Sequence, residues 1–277
     1  MCLDFTNSSL PTNEERSAQE EWRLSHNYKI VLKTKSFDKF CQAVQTALCH
    51  QFNSRTAQSQ NILLEDLLSP NEEIINASLI HLINKPELHK LVSCYFSNTL
   101  NSFHVCALLL ESTHRARVSY MAFQNVLEQE NPFMQGAHFK GICEFFEGLH
   151  QEFQPRRQTL AKRLKWLSFA HKFFPELVKE NSQMDAAAKG TYILLNQLET
   201  TRMLVARLYD EVEHNKDVIK IWKARKDEIY PLQQIIKLLG KNDRNYRSRL
   251  DEIEEQGCLC LMEINRVRAL LLQHIKN

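Results

Sequence analysis

Glycine and proline are scarce in this 277-residue chain, at 6 and 7 residues. Together they make up about 5% of it, against an average near 12%. Glycine supplies tight turns and the loops that cradle phosphates. Its scarcity argues against a turn-rich β-sandwich and against a Gly-rich nucleotide site. A surplus of one charge is missing too: Lys and Arg number 35, Asp and Glu 33, for a net charge of +2. A chain so nearly neutral is not a general nucleic-acid binder, and an electrostatic partner has to meet a local patch. Long apolar runs are also absent. The longest stretch without Asp, Glu, Lys or Arg is Leu91 to Leu110, and Ser93, Ser97, Asn98, Thr99, Asn101, Ser102 and His104 make it too polar to span a membrane. It reads as a core helix with a wet edge.

Signatures of catalysis and metal binding are lacking. There is no GxSxG, GxxxxGK[ST], GxGxxG or HExxH. The eight cysteines contain no CxxC, and Cys258 and Cys260 point to different sides of a helix, which makes a poor chelate. His89, His104, His114, His138, His150, His171 and His214 are scattered singly. Asp251, Glu252, Glu254 and Glu255 beside Arg247 and Arg249 read as a solvated charged face. The expectation is no enzyme, no metal and no cofactor. Met1 to Leu10 carries neither the basic nor the apolar region of a secretory signal, so reduced, cytosol-facing thiols are expected.

What is present is helical periodicity. Residues 1–27 are polar and read as a disordered leader. A helix is predicted from Ser36 to about Phe52, then a polar linker at 53–61 and a short helix from Asn71 to Asn84. Pro86 suits the first turn of a tract that runs to Glu130, where Asn131-Pro132 stops it. His138 to Phe174 reads as another long helix, kinked at Pro155 and interrupted at Pro175. Ser182 to about Asp227 and Pro231 to about Ile275 complete the set.

The last two helices carry the clearest pattern. Positions 194, 198, 201, 205, 208, 212, 215, 219 and 222 form one seam at alternating four- and three-residue spacing; positions 246, 250, 253, 257, 260, 264, 267, 271 and 274 form another. Each is apolar at seven of nine positions. Joined by a turn at Ile229-Tyr230-Pro231, they predict an antiparallel hairpin with coiled-coil-like packing. Asn215, with Thr201 one of two polar members of the first seam, is either a register-setting residue or a tolerated one at its edge.

One stretch stands apart. Between Glu152 and Glu176 there is no acid, while Arg156, Arg157, Lys162, Arg163, Lys165 and Lys172 supply six cations and Leu160, Leu164, Trp166, Leu167, Phe169, Phe173 and Phe174 the apolar groups. Such a helix suits an anionic membrane interface or a calmodulin-type partner. It equally suits an ordinary amphipathic helix that docks its aromatics into a bundle. The candidate membrane-surface residues are Arg156, Arg157, Lys162, Arg163, Lys165, Trp166, Phe169 and Phe173.

Several words in the sequence resemble a known family. In the N-terminal half they are Glu87-Leu88-His89-Lys90-Leu91-Val92, Tyr95-Phe96, Thr99-Leu100, Cys106-Ala107-Leu108-Leu109 and Arg115-Ala116-Arg117. In the C-terminal half they are Gly190-Thr191-Tyr192, the run from Leu204 to His214, Tyr230-Pro231-Leu232-Gln233, the run from Leu250 to Glu255, and the run from Cys260 to Arg268. Over roughly residues 28–275 the chain is similar to the plant uncharacterised family that includes the integrin-like proteins, itself distantly similar to BYPASS-type proteins. The resemblance implies helical, coiled-coil-containing proteins without known enzymatic activity, some of them linking plasma membrane to cytoskeleton or cell wall. It also implies one or two membrane segments between the halves, here between Trp166 and Gly190. That interval contains Lys172, Pro175, Glu176, Lys179, Glu180 and Asp185, so those segments are expected to be missing.

These readings predict an all-α protein: an elongated bundle with a leader at 1–27, an N-terminal helical half at 28–181, and a long helical hairpin at 182–277 packed on it. The expected function is a non-enzymatic scaffold or adaptor held peripherally at the cytoplasmic face of the plasma membrane. Its partners would be other proteins through helical surfaces and anionic lipids, with no nucleic acid. The alternative is a soluble coiled-coil interaction module in the cytoplasm, self-associating as a homodimer through a partly exposed hairpin seam.

Overall fold

A computed structural model of the chain describes residues 35–53, 66–128, 135–178, 184–223 and 243–276. The predicted leader, the linker at 54–61 and the turn at 229–231 lie outside them. Among the described residues the protein is all-α. Six helices occur: α1 Lys35–Asn53, α2 Glu72–Leu79, α3 Pro86–Glu128, α4 Gln135–Val178, α5 Met184–Lys223 and α6 Asp243–Lys276. The chain divides into two compact units, Met1–Ala43 and Val44–Asn277. The first includes the opening turns of α1, with Asp38 in the first turn where a negative charge favours the helix N-terminus. The second unit holds the bundle.

Asn71 caps α2, its side chain accepting from the Ile74 amide at 3.1 Å. The helix ends at Leu79 rather than at Asn84, tightening into a 3-10 turn at Ile80–Leu82. Pro86 opens α3, as its position predicts, because a first-turn residue has no intrahelical use for the missing N–H. In α4 the expected interruption at Pro175 needs correction: the helix runs without a break through both Pro155 and Pro175 to Val178. At Pro155 the reason is visible. Pro155 and Gln151, whose carbonyl loses its helical donor, are both exposed, so water can take the place of the lost bond.

The four long helices are 43, 44, 40 and 34 residues, about 50–65 Å at 1.5 Å per residue. α3 packs on α4, α4 on α5, α5 on α6, and α6 back on α3. Each neighbouring pair is antiparallel. Ser112 meets Arg156 and Asn98 meets Arg163. Glu147 meets Lys216 while Arg157 covers Tyr209. Thr201 meets Cys260 and Glu211 meets Arg249. Arg117 meets Asp251 and Phe96 meets Arg268. The second unit is therefore an up-down-up-down four-helix bundle, to which α2 adds a short flank on α6.

Both predicted seams lie inside this bundle. Leu194, Leu198, Thr201, Val205, Leu208, Val212, Asn215 and Ile219 are buried, as are Tyr246, Leu250, Ile253, Gly257, Cys260, Ile264, Val267 and Leu271. The Trp222 side chain lies outside the described residues, and among the described seam positions only His274, in the last turn, is exposed. Asn215 is a buried seam residue and not an edge one.

At one end of the bundle, α2, α3 and α6 enclose Ile75, Leu79, Val92, Tyr95, Phe96, Val267 and Leu271. At the other, Phe123 stacks on Phe145 at 4.4 Å and Tyr120 lies 4.8 Å from Tyr246. Buried Ser and Thr hydroxyls return to their own helix: Ser102 donates to the Asn98 carbonyl, Ser112 to that of Leu108 and Thr113 to that of Leu109, each at 2.9 Å.

Candidate functional site

The eight candidate membrane-surface residues all lie on α4, but the bundle separates them. Arg156 turns toward α3, where its Nε donates to Ser112 Oγ at 2.9 Å and its Nη2 lies 3.6 Å from Glu152. Glu152 also accepts from Arg115 at 2.7 Å. Burial alone would raise the Glu152 carboxyl, but the hydrogen bonds from Arg115 and Ser112 and the two guanidinium charges hold it below its usual value. Arg163 turns the same way. Its Nη1 reaches Asn98 Oδ1 and its Nη2 the Asn98 carbonyl, both at 3.3 Å, while the guanidinium lies 5.8 Å from the Trp166 ring. Burial pushes the Arg163 pKa down. Both of these partners are neutral oxygens. Trp166 is half-buried and packs on the apolar cluster of α2, α3 and α6.

Arg157, Lys162 and Lys165 remain exposed. The Arg157 guanidinium lies 4.8 Å over the Tyr209 ring, so its stem is held against α5 while its charge stays wet. Phe169 and Phe173 are on the helix, and their side chains fall outside the described residues.

A relationship invisible along the chain appears here. Between Glu87 and Glu111, α3 carries no acid; between Glu152 and Glu176, α4 carries none. The Ser112–Arg156 and Asn98–Arg163 contacts lay these two stretches side by side and antiparallel. The result is one acid-free face about 30 Å long, at 1.5 Å per residue over some 20 residues. Lys90, Lys162 and Lys165 are exposed along it, with Cys94, Ser97 and Asn101 as small neutral groups between. Elsewhere several cations are matched by acids. Arg117 reaches across to Asp251 at 2.7 Å and also to Glu254, Lys216 is held by Glu147 and Glu213, and Arg249 pairs with Glu211. The expected solvated face of Asp251 and Glu254 is therefore partly an interhelical ion-pair site on Arg117.

Two polar clusters lie outside the candidate residues. Arg268 on α6 is almost fully buried: Nη1 donates to the Phe96 carbonyl at 2.9 Å and to Thr99 Oγ1 at 2.8 Å, and Nη2 donates to the Pro70 carbonyl at 3.0 Å. Burial pushes its pKa down to about 10. Asn265, one turn away, accepts from the Ser69 amide at 3.0 Å and donates to the Leu67 carbonyl at 2.7 Å. Together they tie residues 67–70 to α6. A mid-bundle layer contains Cys106, Thr201, Gln256 and Cys260, all buried. Among the described residues no group of His, Cys, Asp and Glu could hold a metal ion, no disulfide occurs, and no helix is long and apolar enough to cross a membrane.

The chain is similar to plant proteins. UPF0496 protein At1g20180 of Arabidopsis thaliana is 40% identical over 100 residues, which cover 36% of this chain and 25% of that protein. UPF0496 protein 2 of Oryza sativa subsp. indica is 38% identical over 93 residues, covering 34% of this chain and 23% of that protein. In these two the matched stretch spans about a quarter of the relative's own length. UPF0496 protein At3g19250 of Arabidopsis thaliana is 22% identical over 317 residues, covering 86% of this chain and 88% of that protein. These likenesses support an uncharacterised plant family. No family model matches the chain, and no solved structure does.

Proposed function

We propose that this protein is a non-enzymatic helical scaffold held peripherally on an anionic membrane, at the cytoplasmic face of the plasma membrane, by the acid-free face of α3 and α4. The observation that carries the reading is the side-by-side placement of two acid-free stretches that lie far apart in the sequence. Opposing acids would cancel the field of Lys162 and Lys165 within a Debye length of about 8–10 Å, and α4 has none between Glu152 and Glu176, whereas Lys90 at the end of the face lies one turn from exposed Glu87. Integrin-like and BYPASS-type kinship, with its link between membrane and cytoskeleton, belongs to this same proposal, as does the absence of membrane-crossing segments.

The scaffold half of the reading rests on the bundle itself. Its long interior is filled by side chains, and protein partners are left the outer faces of the helices. The seam of α5 and α6 is consumed within the chain, so a homodimer that uses this seam requires the bundle to open.

The test is co-sedimentation with vesicles. Binding is expected to vesicles containing 30% phosphatidylserine and not to pure phosphatidylcholine. Removing three exposed cations at about 1 kcal/mol each weakens binding roughly 150-fold. The triple variant Lys90→Gln/Lys162→Gln/Lys165→Gln measures that loss, and Lys140→Gln, near the start of α4, serves as control. Equal binding by wild type and triple variant would overturn the reading.

A further inference from the structure

The mid-bundle layer places two thiols against each other. Cys106 on α3 and Cys260 on α6 are both fully buried. The antiparallel register sets them opposite: Leu110 faces Gly257 four residues on one side of Cys106, and Phe96 faces Arg268 ten residues on the other. Close approach is built into this crossing. A Cβ added to Gly257 would lie 2.8 Å from Leu110 Cδ2, so only a glycine lets α3 and α6 come this near. A disulfide needs Cα atoms about 4.4–6.8 Å apart, which only closely packed helices supply. Thr201 Oγ1 lies 3.3 Å from the Cys260 sulfur, and Gln256 Nε2 donates to that sulfur at 3.9 Å.

We infer that Cys106 and Cys260 are an intramolecular redox pair, oxidised by a peroxide to a disulfide that staples α3 to α6. The chemistry divides the roles. Hydrogen bonds from Cys106, Thr201 and Gln256 favour the thiolate form of Cys260, which lowers its pKa despite burial, whereas the Cys106 thiol is held protonated. Cys260 is therefore the attacking sulfur. It forms an S–O bond to the peroxide as the O–O bond breaks, giving a sulfenic acid and one water. The Cys106 sulfur then attacks the Cys260 sulfur, an S–S bond forms, the S–O bond breaks, and a second water leaves with the Cys106 proton. Two thiols lose two electrons and two protons in total, and one hydrogen peroxide becomes two waters. Full burial means that the oxidant enters only when the α3–α6 crossing opens. The staple then records and reverses such openings, and exposed Cys49 and Cys94 have no opposed partner of this kind.

The experiment treats the full chain with hydrogen peroxide under native conditions, alkylates the remaining thiols after unfolding, and maps disulfides by mass spectrometry without reduction. The expected product links the peptides of Cys106 and Cys260. Closing a loop this long raises the melting temperature by about 10 °C, and dithiothreitol reverses the rise. Cys106→Ala and Cys260→Ala each abolish both effects; two separate variants guard against one that fails to fold. The inference is overturned if Cys106 and Cys260 are recovered fully alkylated while Cys49 or Cys94 has reacted, or if the linked peptide forms only in denaturant.

Discussion

The guanidinium of Arg268 donates to the backbone carbonyl of Phe96, 2.9 Å away and 172 residues earlier in the chain. Thr99 completes the arrangement: its hydroxyl donates to that same carbonyl at 2.9 Å and accepts from Arg268 at 2.8 Å. A cation is thus buried against neutral oxygens at the point where α3, α6 and the segment before α2 converge.

Burying this charge is costly, so the two ways of removing it should differ. Arg268→Ala leaves a cavity and strips the Pro70 carbonyl of its donor, for a loss of about 3 kcal/mol. Arg268→Met keeps an unbranched stem in place and removes the charge that had to be desolvated. A loss of about 1 kcal/mol or less is expected. Urea denaturation of the two variants measures the difference. Equal losses would mean that the hydrogen bonds outweigh both packing and desolvation.

Three helical glycines separate close approach from mere flexibility. Gly148 has open space where a Cβ would go, so Gly148→Ala should stabilise the protein by about 0.5–1 kcal/mol through helix propensity alone. At Gly190 the added Cβ would lie 2.6 Å from Tyr95 Oη and 3.0 Å from Val267 Cβ, and at Gly257 it would meet Leu110. Overpacking costs about 1–3 kcal/mol, so Gly190→Ala and Gly257→Ala should lower stability in the same assay.

The protein should lose stability above pH 10. Burial pushes the phenols of Tyr95 and Tyr246 well above their ordinary value of 10.0; the charge of Arg268 opposes this at Tyr95, while at Tyr246 Glu211 reinforces it and Arg117 opposes it. Above pH 10 the unfolded chain sheds protons that the folded chain keeps, so each tyrosine lowers stability by up to about 1.4 kcal/mol per pH unit. Arg268 acts in the opposite direction. With its pKa lowered by burial to about 10, the folded chain loses a proton that the unfolded chain retains. Two groups against one leave a net fall. Melting temperatures between pH 9 and 11 should drop for the wild type and drop less for Tyr246→Phe. Identical slopes would contradict the assignment.

The seams of α5 and α6 are legible in the sequence because a seven-residue apolar repeat survives a few polar members: Asn215 and Thr201 fit the spacing and are buried with it. Arg268 is missed because a lone cation reads as surface. Its spacing held the signal, since 261, 264, 268, 271 and 275 form one stripe whose other members are Leu, Ile, Leu and Ile. Pro175 misleads because a proline forbids one hydrogen bond without by itself ending a helix. The acid-free stretches of α3 and α4 can each be found in the sequence, but their union cannot. It depends on which helix lies beside which, and long helices joined by loops can be arranged in several ways. The basic stretch is split for the same reason: Arg156 and Arg163 face a neighbour that only the bundle supplies.

The most direct measurement is fractionation of the full-length protein from plant cells, with separate high-salt and carbonate washes of the membrane pellet. Peripheral attachment through Lys90, Lys162 and Lys165 predicts recovery in the pellet and release by high salt, because screening shortens the reach of exposed charge to about 3 Å at 1 M. Recovery in the supernatant from the outset, or a pellet that resists both washes, would contradict it.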